Sequence, residues 1–353
     1  MYAVIPAGGA GSRLWPRSRR SAPKHVLPLS GSGKPLIRET VDRVLPLAQD
    51  VLVITERRQL GQIGGLVPEV GEGSLLVEPS ARGTTNAMGL AALTLVERDP
   101  DAVMLWLAAD HVVRGERGYR QAVERAVRVA ESSCELVAIG LKPTYAATGF
   151  GYIEAGEPVR AGRAHALRVA RFVEKPTRER AEEFLASGRH YWNLSMFCCR
   201  CDVFLEELRR HGPEHHAGLL EVQAARASGD EERAAELYRA LPSEAVDYTV
   251  MERTDRLLLV PASFQWSDVG SWTDLAALVQ GDEDGNVVEG ASLLLDVQGS
   301  FISVPDKLVA VIGCQDLVVV DTDDALLICP KSRAQDVKKV VQQLERTGRS
   351  RYL

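Results

Sequence analysis

The 353-residue chain lacks several features that would place it in a particular class of protein. No apolar stretch is long enough to span a membrane. There is no excess of basic residues, because the formal net charge is −6 at pH 7, and this disfavours a nucleic-acid surface. The N-terminus has no charged-then-apolar signal pattern. We therefore expect a cytoplasmic protein with neither membrane nor nucleic acid among its partners.

The six cysteines lack the spacing of a zinc site. Cys198, Cys199 and Cys201 lie in one apolar, strand-like run, whereas zinc would need a C-x-x-C pair and a second, distant pair. We interpret the run as small hydrophobic residues of a buried strand. Disulfides are not expected in a cytoplasmic protein.

Two common phosphate-loop fingerprints are also missing. The dinucleotide fingerprint needs a small residue at the position that Leu14 occupies. The Walker A loop needs Ser or Thr after its lysine, but Lys34 is followed by Pro35. The missing dinucleotide fingerprint argues against a nicotinamide-dependent dehydrogenase, and the missing Walker A pattern favours a plain turn at residues 30–34.

What the chain does have is a glycine-rich loop after its first apolar run, residues 2–7, which we predict to be a buried strand. A loop with almost no side chains lets backbone N–H groups approach phosphates closely. Arg13 and Lys24 add two cations for phosphate oxygens, which favours a triphosphate site over an ordinary tight turn. The predicted nucleotide-binding residues of the loop are Gly8, Gly9, Gly11, Ser12 and Arg13.

The motifs around this loop resemble the signature of a known enzyme family. G-G-x-G-x-R-L-W-P at residues 8–16 and P-K-x-x-L-P-L at residues 23–29 are similar to those of sugar-1-phosphate nucleotidyltransferases. Among these, the chain most resembles the mannose-1-phosphate guanylyltransferases (GDP-mannose pyrophosphorylases). The resemblance implies that GMP is transferred from GTP to a sugar 1-phosphate, foremost mannose 1-phosphate, giving a GDP-sugar and pyrophosphate.

Alternating apolar strands and helices predict an α/β sheet in the first part of the chain. Strands are expected near residues 50–55, 75–77, 103–108 and 136–139, with helices near 34–47, 85–97 and 119–131. Ligands of such sheets bind beyond the carboxyl ends of strands, where Gly8, Glu78 and Asp110 fall. The resemblance implies a Rossmann-like, mixed and mostly parallel sheet, the nucleotide-diphospho-sugar transferase fold.

The acidic, glycine-containing stretch 281–286 predicts a domain boundary near residue 280. We predict a catalytic domain over residues 1–280 and a small C-terminal domain over residues 286–353. The latter has short apolar strands separated by turns, followed by an amphipathic helix over residues 333–346. Strict hexapeptide repeats are absent, which argues against a long β-helix. The resemblance implies a short β-solenoid-like domain that ends in the helix.

Two aspartates are the candidate ligands of a divalent metal. A sugar phosphate is mostly dianionic near neutrality, so the reaction needs a cation to bring two anions together and needs no general base. Asp110 ends an apolar strand and Asp268 lies in W-S-D-V-G-S-W, and two carboxylates suit Mg²⁺. His111 is expected to be structural, since Mg²⁺ disfavours imidazole. With Arg13 and Lys24, the two aspartates are the predicted catalytic residues.

Substrate recognition is assigned to two further sets of residues. The carboxylate of Glu78 could accept the adjacent N1–H and N2–H₂ groups of guanine, and Arg82 lies in the same E-P-x-x-R segment. The alternative for Glu78 is a surface glutamate at a strand end. The resemblance implies that the sugar phosphate is bound by Gly149, Gly151, Glu174, Lys175, Asn193 and Asp247.

Four positions depart from the pattern of the family: Gly83, Phe150, Leu194 and Ser195. They lie on the sugar side, whereas the phosphate and metal motifs are intact. The identity of the sugar therefore stays open, with another hexose or pseudo-sugar 1-phosphate as an alternative. A non-catalytic homologue that binds a nucleotide sugar is a second alternative, which the intact catalytic set disfavours. The resemblance also implies a homodimer whose interface includes the C-terminal segment.

Overall fold

The computed structural model describes residues 1–9 and 11–353. Its strands are β1 (Tyr2–Ala7), β2 (Asp50–Glu56), β3 (Leu75–Glu78), β4 (Val103–Trp106), β5 (Val112–Arg114), β6 (Leu136–Leu141), β7 (Tyr152–Ala161), β8 (Ala164–Val173), β9 (His190–Arg200), β10 (Leu257–Ala262), β11 (Gln265–Ser267), β12 (Val287–Glu289), β13 (Ser292–Leu295), β14 (Phe301–Ser303), β15 (Val309–Ile312), β16 (Leu317–Asp321) and β17 (Leu326–Pro330).

Its α-helices are α1 (Leu36–Val44), α2 (Leu60–Leu66), α3 (Gly83–Arg98), α4 (Glu116–Ser133), α5 (Arg178–Ser187), α6 (Cys201–His211), α7 (Pro213–Ala227), α8 (Glu231–Ala240), α9 (Trp272–Ala276) and α10 (Val337–Arg346). Short 3₁₀ turns occur at Ser12–Leu14, Lys24–Val26, Arg57–Gln59, Glu72–Ser74, Lys331–Asp336 and Ser350–Tyr352, and a π-helical turn at Asp247–Met251. Within the described residues, no helix is both long and apolar enough to cross a membrane.

A large mixed sheet has the strand order β3-β2-β1-β4-β9-β6-β10-β8-β7. The strands from β3 to β4 pair in parallel, as do β6 and β10. Strands β8 and β9 make antiparallel pairs with their neighbours and so run opposite to the other strands of the sheet. The predicted mixed, mostly parallel sheet is confirmed.

The central strands are apolar on both faces because helices cover the sheet on both sides. Strands β4 and β6 are buried along their whole length, and so is most of β1. Helix α3 contributes Met88 and Leu95 to the main hydrophobic core, and Trp106 of β4 and Tyr238 of α8 belong to the same core. All three cysteines of the predicted run are free and buried, and Cys198 and Cys199 lie in β9, whereas Cys201 is the first residue of α6 and not part of the strand. Burial raises the pKa of both β9 thiols.

The C-terminal strands form two stacks of short parallel strands, which confirms the predicted solenoid-like domain. Strands β12, β14 and β16 pair in parallel, as do β13 and β15, whereas β17 is antiparallel to β16. Val287 pairs with Phe301, and Phe301 pairs with Val318, so successive turns of the solenoid (its rungs) contain different numbers of residues. Unequal rungs explain why the sequence shows no strict repeat.

The chain forms two compact units. One unit contains residues 1–8, 41–109 and 113–265, and the other contains residues 9–40, 110–112 and 266–353. The predicted domain boundary near residue 280 separates two continuous parts of the chain, whereas each unit combines several segments. That boundary stays a prediction. In the second unit, Trp272 packs on Phe301, with ring centroids 5.5 Å apart, so residues just before that boundary share a core with residues beyond it.

Some helix boundaries differ from the predicted ones for local reasons. The charged, Ala- and Leu-rich sequence of residues 203–240 predicts one helical stretch, but the structure has three helices there. Gly212 and Pro213 end α6 and begin α7, and Gly229, with a φ of +80°, lies between α7 and α8. The C-terminal helix begins as a 3₁₀ turn, Lys331–Asp336, and becomes α-helical only at Val337. Its apolar side contributes Val337, Val341 and Leu344 to the core around Trp272.

Candidate active site

The glycine loop begins where β1 ends. Gly9 and Gly11 have φ angles of +89° and +62°, in the region that favours glycine. A Cβ atom at Gly11 would lie 2.5 Å from Cβ of Lys24, a distance that real Cβ atoms do not adopt. The absence of a side chain at Gly11 therefore lets Lys24 pass directly against the loop backbone.

Lys24 is the centre of a charged cluster in the second unit. It is only 6% exposed. Its ammonium lies 2.7 Å from Oδ2 of Asp110 and donates a hydrogen bond to the backbone carbonyl of Asp268. The structure thus brings together three of the four residues that the sequence predicts to be catalytic.

The two carboxyl groups of this cluster have pKa values shifted in opposite directions. Burial alone would raise the pKa of Asp110, but the charges of Lys24 and of the neighbouring histidines bring it below its usual value. Burial raises the pKa of Asp268 to about 6, and Lys24 offsets this shift only in part. The negative charges of Asp274 and Asp110 also raise it. Of the two, Asp268 is the carboxyl group whose ionised form is stabilised less by its surroundings.

The donor chemistry of the cluster fits a hard divalent cation. Asp110 and Asp268 offer carboxylate oxygens, and Mg²⁺ is commonly held by one or two carboxylates together with substrate phosphates and waters. The part of the chain that the structure describes has no group of three or more His, Cys, Asp or Glu side chains arranged to hold a metal.

Arg13 has no hydrogen bond or ion pair with the three residues of this cluster. It is exposed in the 3₁₀ turn Ser12–Leu14, which directly follows Gly11. It makes no side-chain hydrogen bond or ion pair with any described residue. A guanidinium without such partners is able to donate two parallel hydrogen bonds to phosphate oxygens.

His111, next to Asp110 in sequence, packs against Trp266. The indole Nε1 of Trp266 donates to Nδ1 of His111 over 3.2 Å, and the two rings meet edge to face. This contact joins the two motifs that carry the aspartates, and it agrees with a structural role for His111.

In the first unit, Glu78 ends β3 and is buried. Its Oε1 accepts a hydrogen bond from the Tyr238 hydroxyl at 2.5 Å. Burial raises the pKa of Glu78, and the hydrogen bonds from Tyr238 and from the backbone of Arg82 offset part of this rise. Glu78 is thus not the surface glutamate of the alternative reading. The sequence did not single out Tyr238, because its only signal is one aromatic residue in a charged helix.

Gly83, one of the departures from the family pattern, is required by a close backbone approach. Its φ is +78°, and a Cβ atom there would lie 2.2 Å from the carbonyl oxygen of Glu244. The same segment is held by the backbone N–H of Val246, which donates to Oγ1 of Thr84 over 2.9 Å. The asparagine of the family pattern would not fit in this chain.

Asn193 and Asp247 form a buried pair within the predicted sugar-binding set. Asn193 Nδ2 donates to Asp247 Oδ1 over 2.8 Å, and Asn193 Oδ1 accepts from the backbone N–H of Ser195 over 3.0 Å. Burial and the nearby charge of Glu174 raise the pKa of Asp247 to about 6, although the bond from Asn193 opposes this.

Glu174 presents an unsatisfied oxygen beside this pair. Its Oε1 lies 2.8 Å from the Lys175 ammonium, whereas its Oε2 is buried with no hydrogen-bond partner among the described residues. A Cβ atom at Gly151 would lie 2.3 Å from that oxygen, so only glycine leaves room there. Gly149 has open space around its Cα. Buried acceptors are normally paired, so Oε2 is suited to a ligand hydroxyl.

The other three departures have different environments. Ser195 has a φ of +49°, a conformation that costs a non-glycine residue free energy. Leu194 is fully buried in the core. Phe150 meets Trp192 edge to face, with ring centroids 5.4 Å apart.

Known families and proteins match almost the whole chain. The Nucleotidyl transferase family model matches residues 2–285, and the model of the MannoseP isomerase/GMP-like beta-helix domain matches residues 290–344. A mannose-1-phosphate guanylyltransferase of Escherichia coli (strain K12) is 39% identical over 370 residues, covering 100% of this chain and 75% of that protein. The alginate biosynthesis protein AlgA of Pseudomonas aeruginosa is also 39% identical, covering 99% of this chain and 73% of that protein.

A solved structure has the same fold throughout. It is described as a mannose-1-phosphate geranyltransferase from Thermus thermophilus, and it is 35% identical to this chain with a TM-score of 0.85. The match covers 98% of this chain and 99% of that one. With a family model over most of its length and relatives matched over about three quarters of theirs, the chain belongs to the mannose-1-phosphate guanylyltransferase family of nucleotidyl transferases.

Proposed function

We propose that the protein transfers GMP from GTP to a sugar 1-phosphate, with mannose 1-phosphate as the first candidate, and releases pyrophosphate. The observation that carries this proposal is the contact of Lys24 with both Asp110 and the backbone of Asp268, at the end of a glycine loop in a guanylyltransferase-family chain.

The reaction is an attack by an oxygen of the sugar phosphate on the α-phosphorus of GTP. That oxygen already carries charge near neutral pH, so no side chain has to remove a proton. Lys24 would neutralise the phosphates from its buried position, and Arg13 would bind the departing pyrophosphate oxygens. Asp110 and Asp268 would hold Mg²⁺, whose charge, when it is bound, reduces the repulsion between the two anionic substrates.

Base recognition is assigned to Glu78. Its carboxylate would accept hydrogen bonds from N1–H and N2–H₂ of guanine, and the Tyr238 hydroxyl would fix its orientation. Arg82 supplies a backbone N–H to the same carboxylate. Because adenine has an acceptor at N1 and no amino group at C2, it would lose both bonds.

The sugar phosphate is assigned to the sugar-binding residues predicted from the sequence, all of which lie in the first unit. Glu174 Oε2 would accept a sugar hydroxyl, and Lys175 would bind the phosphate. Asn193 and Asp247 would supply further polar groups to the sugar. Gly149 and Gly151 would allow the backbone to close over the sugar ring. The three departures at Phe150, Leu194 and Ser195 leave another hexose 1-phosphate as the alternative substrate.

We also propose a homodimer formed through the C-terminal segment. Strands β13 and β15, with the residue before β15, expose four large apolar side chains: Leu293, Leu295, Leu308 and Ile312, which are 58–67% exposed. A patch of this kind marks an interaction surface, and a twofold contact between copies is the commonest arrangement. A cytoplasmic location is part of the proposal, because the described cysteines are all free thiols.

The decisive experiment measures pyrophosphate release from a panel of nucleoside triphosphates combined with a panel of sugar 1-phosphates, with magnesium present. We expect the largest kcat/KM for GTP with mannose 1-phosphate. Turnover with GTP and a different sugar 1-phosphate would change the assigned sugar. If no pair gave pyrophosphate while a GDP-sugar still bound, the protein would be the non-catalytic homologue instead.

A further inference from the structure

Two tryptophans connect the segment after the glycine loop to residues of the second unit that are distant in sequence. Trp15 follows the turn that carries Arg13, and its backbone carbonyl accepts a hydrogen bond from Nε1 of Trp272 over 3.0 Å. Its own indole Nε1 donates to the backbone carbonyl of Tyr352 over 2.7 Å. Both indoles are buried. The bond between Trp272 and Trp15 is itself buried, so its loss would leave a carbonyl without a partner, whereas the bond to Tyr352 is only partly buried.

Trp272 stands close to the aspartate that we assign to the metal. It begins α9, four residues after Asp268. The intervening turn is tightly held: Val269 has a φ of +45°, and the backbone N–H of Gly270 donates to Asp268 Oδ1 over 3.2 Å. A displacement of Trp272 would therefore move Asp268 with it.

The loop segment after Trp15 is held in the same way by residues of the C-terminal strands and helix. Arg17 pairs with Glu289, and Arg20 lies 2.7 Å from the carboxylate of Glu345. Arg19 pairs with Asp324 over 2.7 Å and also bonds the carbonyl of Tyr352. Residues that come late in the chain thus fix the shape of the segment between Arg13 and Lys24.

We propose that Trp15 and Trp272 are positioning residues, which set the place of the phosphate loop relative to Asp268. The inference rests on the proposed guanylyltransferase function, because it assigns the two indoles to the alignment of GTP phosphates with the metal-binding carboxylate. Neither indole needs to touch a substrate. In a reaction whose catalysis is mostly alignment, a small displacement lowers the rate more than it weakens binding.

The test removes one N–H group and keeps an aromatic ring. In Trp272→Phe the ring still packs on Phe301, but the donor to the Trp15 carbonyl is lost. We expect kcat to fall about tenfold or more while KM for GTP and for the sugar 1-phosphate changes little. Amide hydrogen exchange over residues 11–27 should become faster. Trp15→Phe, which removes the bond to Tyr352, should change the same two quantities and serves if Trp272→Phe does not fold.

Ser300→Ala is the matched control. Ser300 is fully buried in the same unit, and its hydroxyl accepts from Leu317 N–H and donates to the Gln298 carbonyl. The variant should lower Tm but leave kcat and the exchange of residues 11–27 unchanged. Wild-type kcat and exchange in both tryptophan variants would overturn the proposal, as would an equal loss of kcat in Ser300→Ala. Exchange needs no turnover. An inactive wild-type protein would refute the proposed function, and unchanged exchange over residues 11–27 in both tryptophan variants would then still overturn this inference.

Discussion

The ammonium of Lys24 lies 2.7 Å from Oδ2 of Asp110 and bonds the backbone of Asp268, so one buried cation holds both predicted metal-binding segments. Under the proposed function, this buried cation would help to neutralise the phosphates of GTP. It also makes the two aspartates unequal, because Lys24 neutralises one carboxylate directly and contacts only the main chain of the other.

Asp110→Asn should abolish turnover while the chain stays folded. The amide keeps the shape of the side chain but is a poor Mg²⁺ ligand, and it leaves Lys24 without its nearest counter-charge, at a cost of about 1–3 kcal/mol. Steady-state pyrophosphate release and thermal unfolding give the two readouts. Asp101→Asn, at an exposed surface aspartate, is the control. More than a tenth of wild-type activity at saturating magnesium would contradict the assignment, and we expect the same result for Asp268→Asn.

GTP should be preferred over ATP if Glu78 reads guanine. The loss of two charge-assisted hydrogen bonds would cost ATP roughly 2–4 kcal/mol in kcat/KM. Glu78→Gln should reduce the preference, since an amide offers one acceptor where the carboxylate offers two. Competition assays with the two nucleotides measure the ratio, and equal kcat/KM values would refute the role of Glu78. An unchanged base preference in Glu78→Gln would do the same.

Gly83→Ala should destabilise the protein far more than Gly229→Ala. The two glycines have nearly the same φ, +78° and +80°, so the backbone strain of a side chain is matched. A Cβ atom meets the Glu244 carbonyl at Gly83 and open space at Gly229. We expect about 1–3 kcal/mol more loss at Gly83 from this overlap, measured by denaturant unfolding. Equal losses at the two positions would show that the contact with Glu244 has no energetic weight.

Asp247 should make the folded state less stable as the pH rises through about 6, the value to which burial raises its pKa. A carboxyl with a raised native pKa binds its proton more tightly when folded, so its contribution is complete below the unfolded value of about 4 and is lost above the native one. Asp247→Asn removes this term and should be stabilised relative to wild type at pH 7.5 but not at pH 4.5. The difference should be at most about 3 kcal/mol. A pH-independent difference in the free energy of unfolding would argue against the shift.

The wild-type protein should be a homodimer at micromolar concentration. Replacing Leu293 and Ile312 together by Glu should convert it to a monomer, since both side chains project from the exposed apolar patch of β13 and β15. Leu220→Glu, at an exposed leucine of α7, should leave the mass unchanged. Light scattering gives the mass. A monomeric wild type rules the dimer out, and a dimer undiminished in the double variant moves its interface elsewhere.

The parts of the fold that depend on local sequence could be predicted. Strand β1, the glycine loop and the strand before Asp110 are each specified by a short apolar run and the residues that end it. The pairing of Lys24 with Asp110 was not visible in either motif, because it joins positions that are 86 residues apart. Such contacts depend on the path of the chain and on no local pattern.

The contacts missed around the predicted site have the same cause. Tyr238 reaches Glu78 across 160 positions, and nothing in α8 marks it as different from other buried aromatics. The requirement for glycine at Gly83 comes from the backbone of Glu244, which no side-chain motif records. Of these positions the sequence indicated only Gly83, which departs from the family pattern.

The bond between Trp15 and Tyr352 has a consequence for how the protein is made. The two residues are 337 positions apart, which at about 5–20 residues per second corresponds to roughly 20–70 s of synthesis. During that time Leu14 and Trp15 have emerged from the ribosome, but their partners in α9, β14 and α10 do not yet exist. The segment that would bind GTP therefore cannot make these late contacts on the nascent chain, and it completes its structure only when the C-terminal residues have been synthesised.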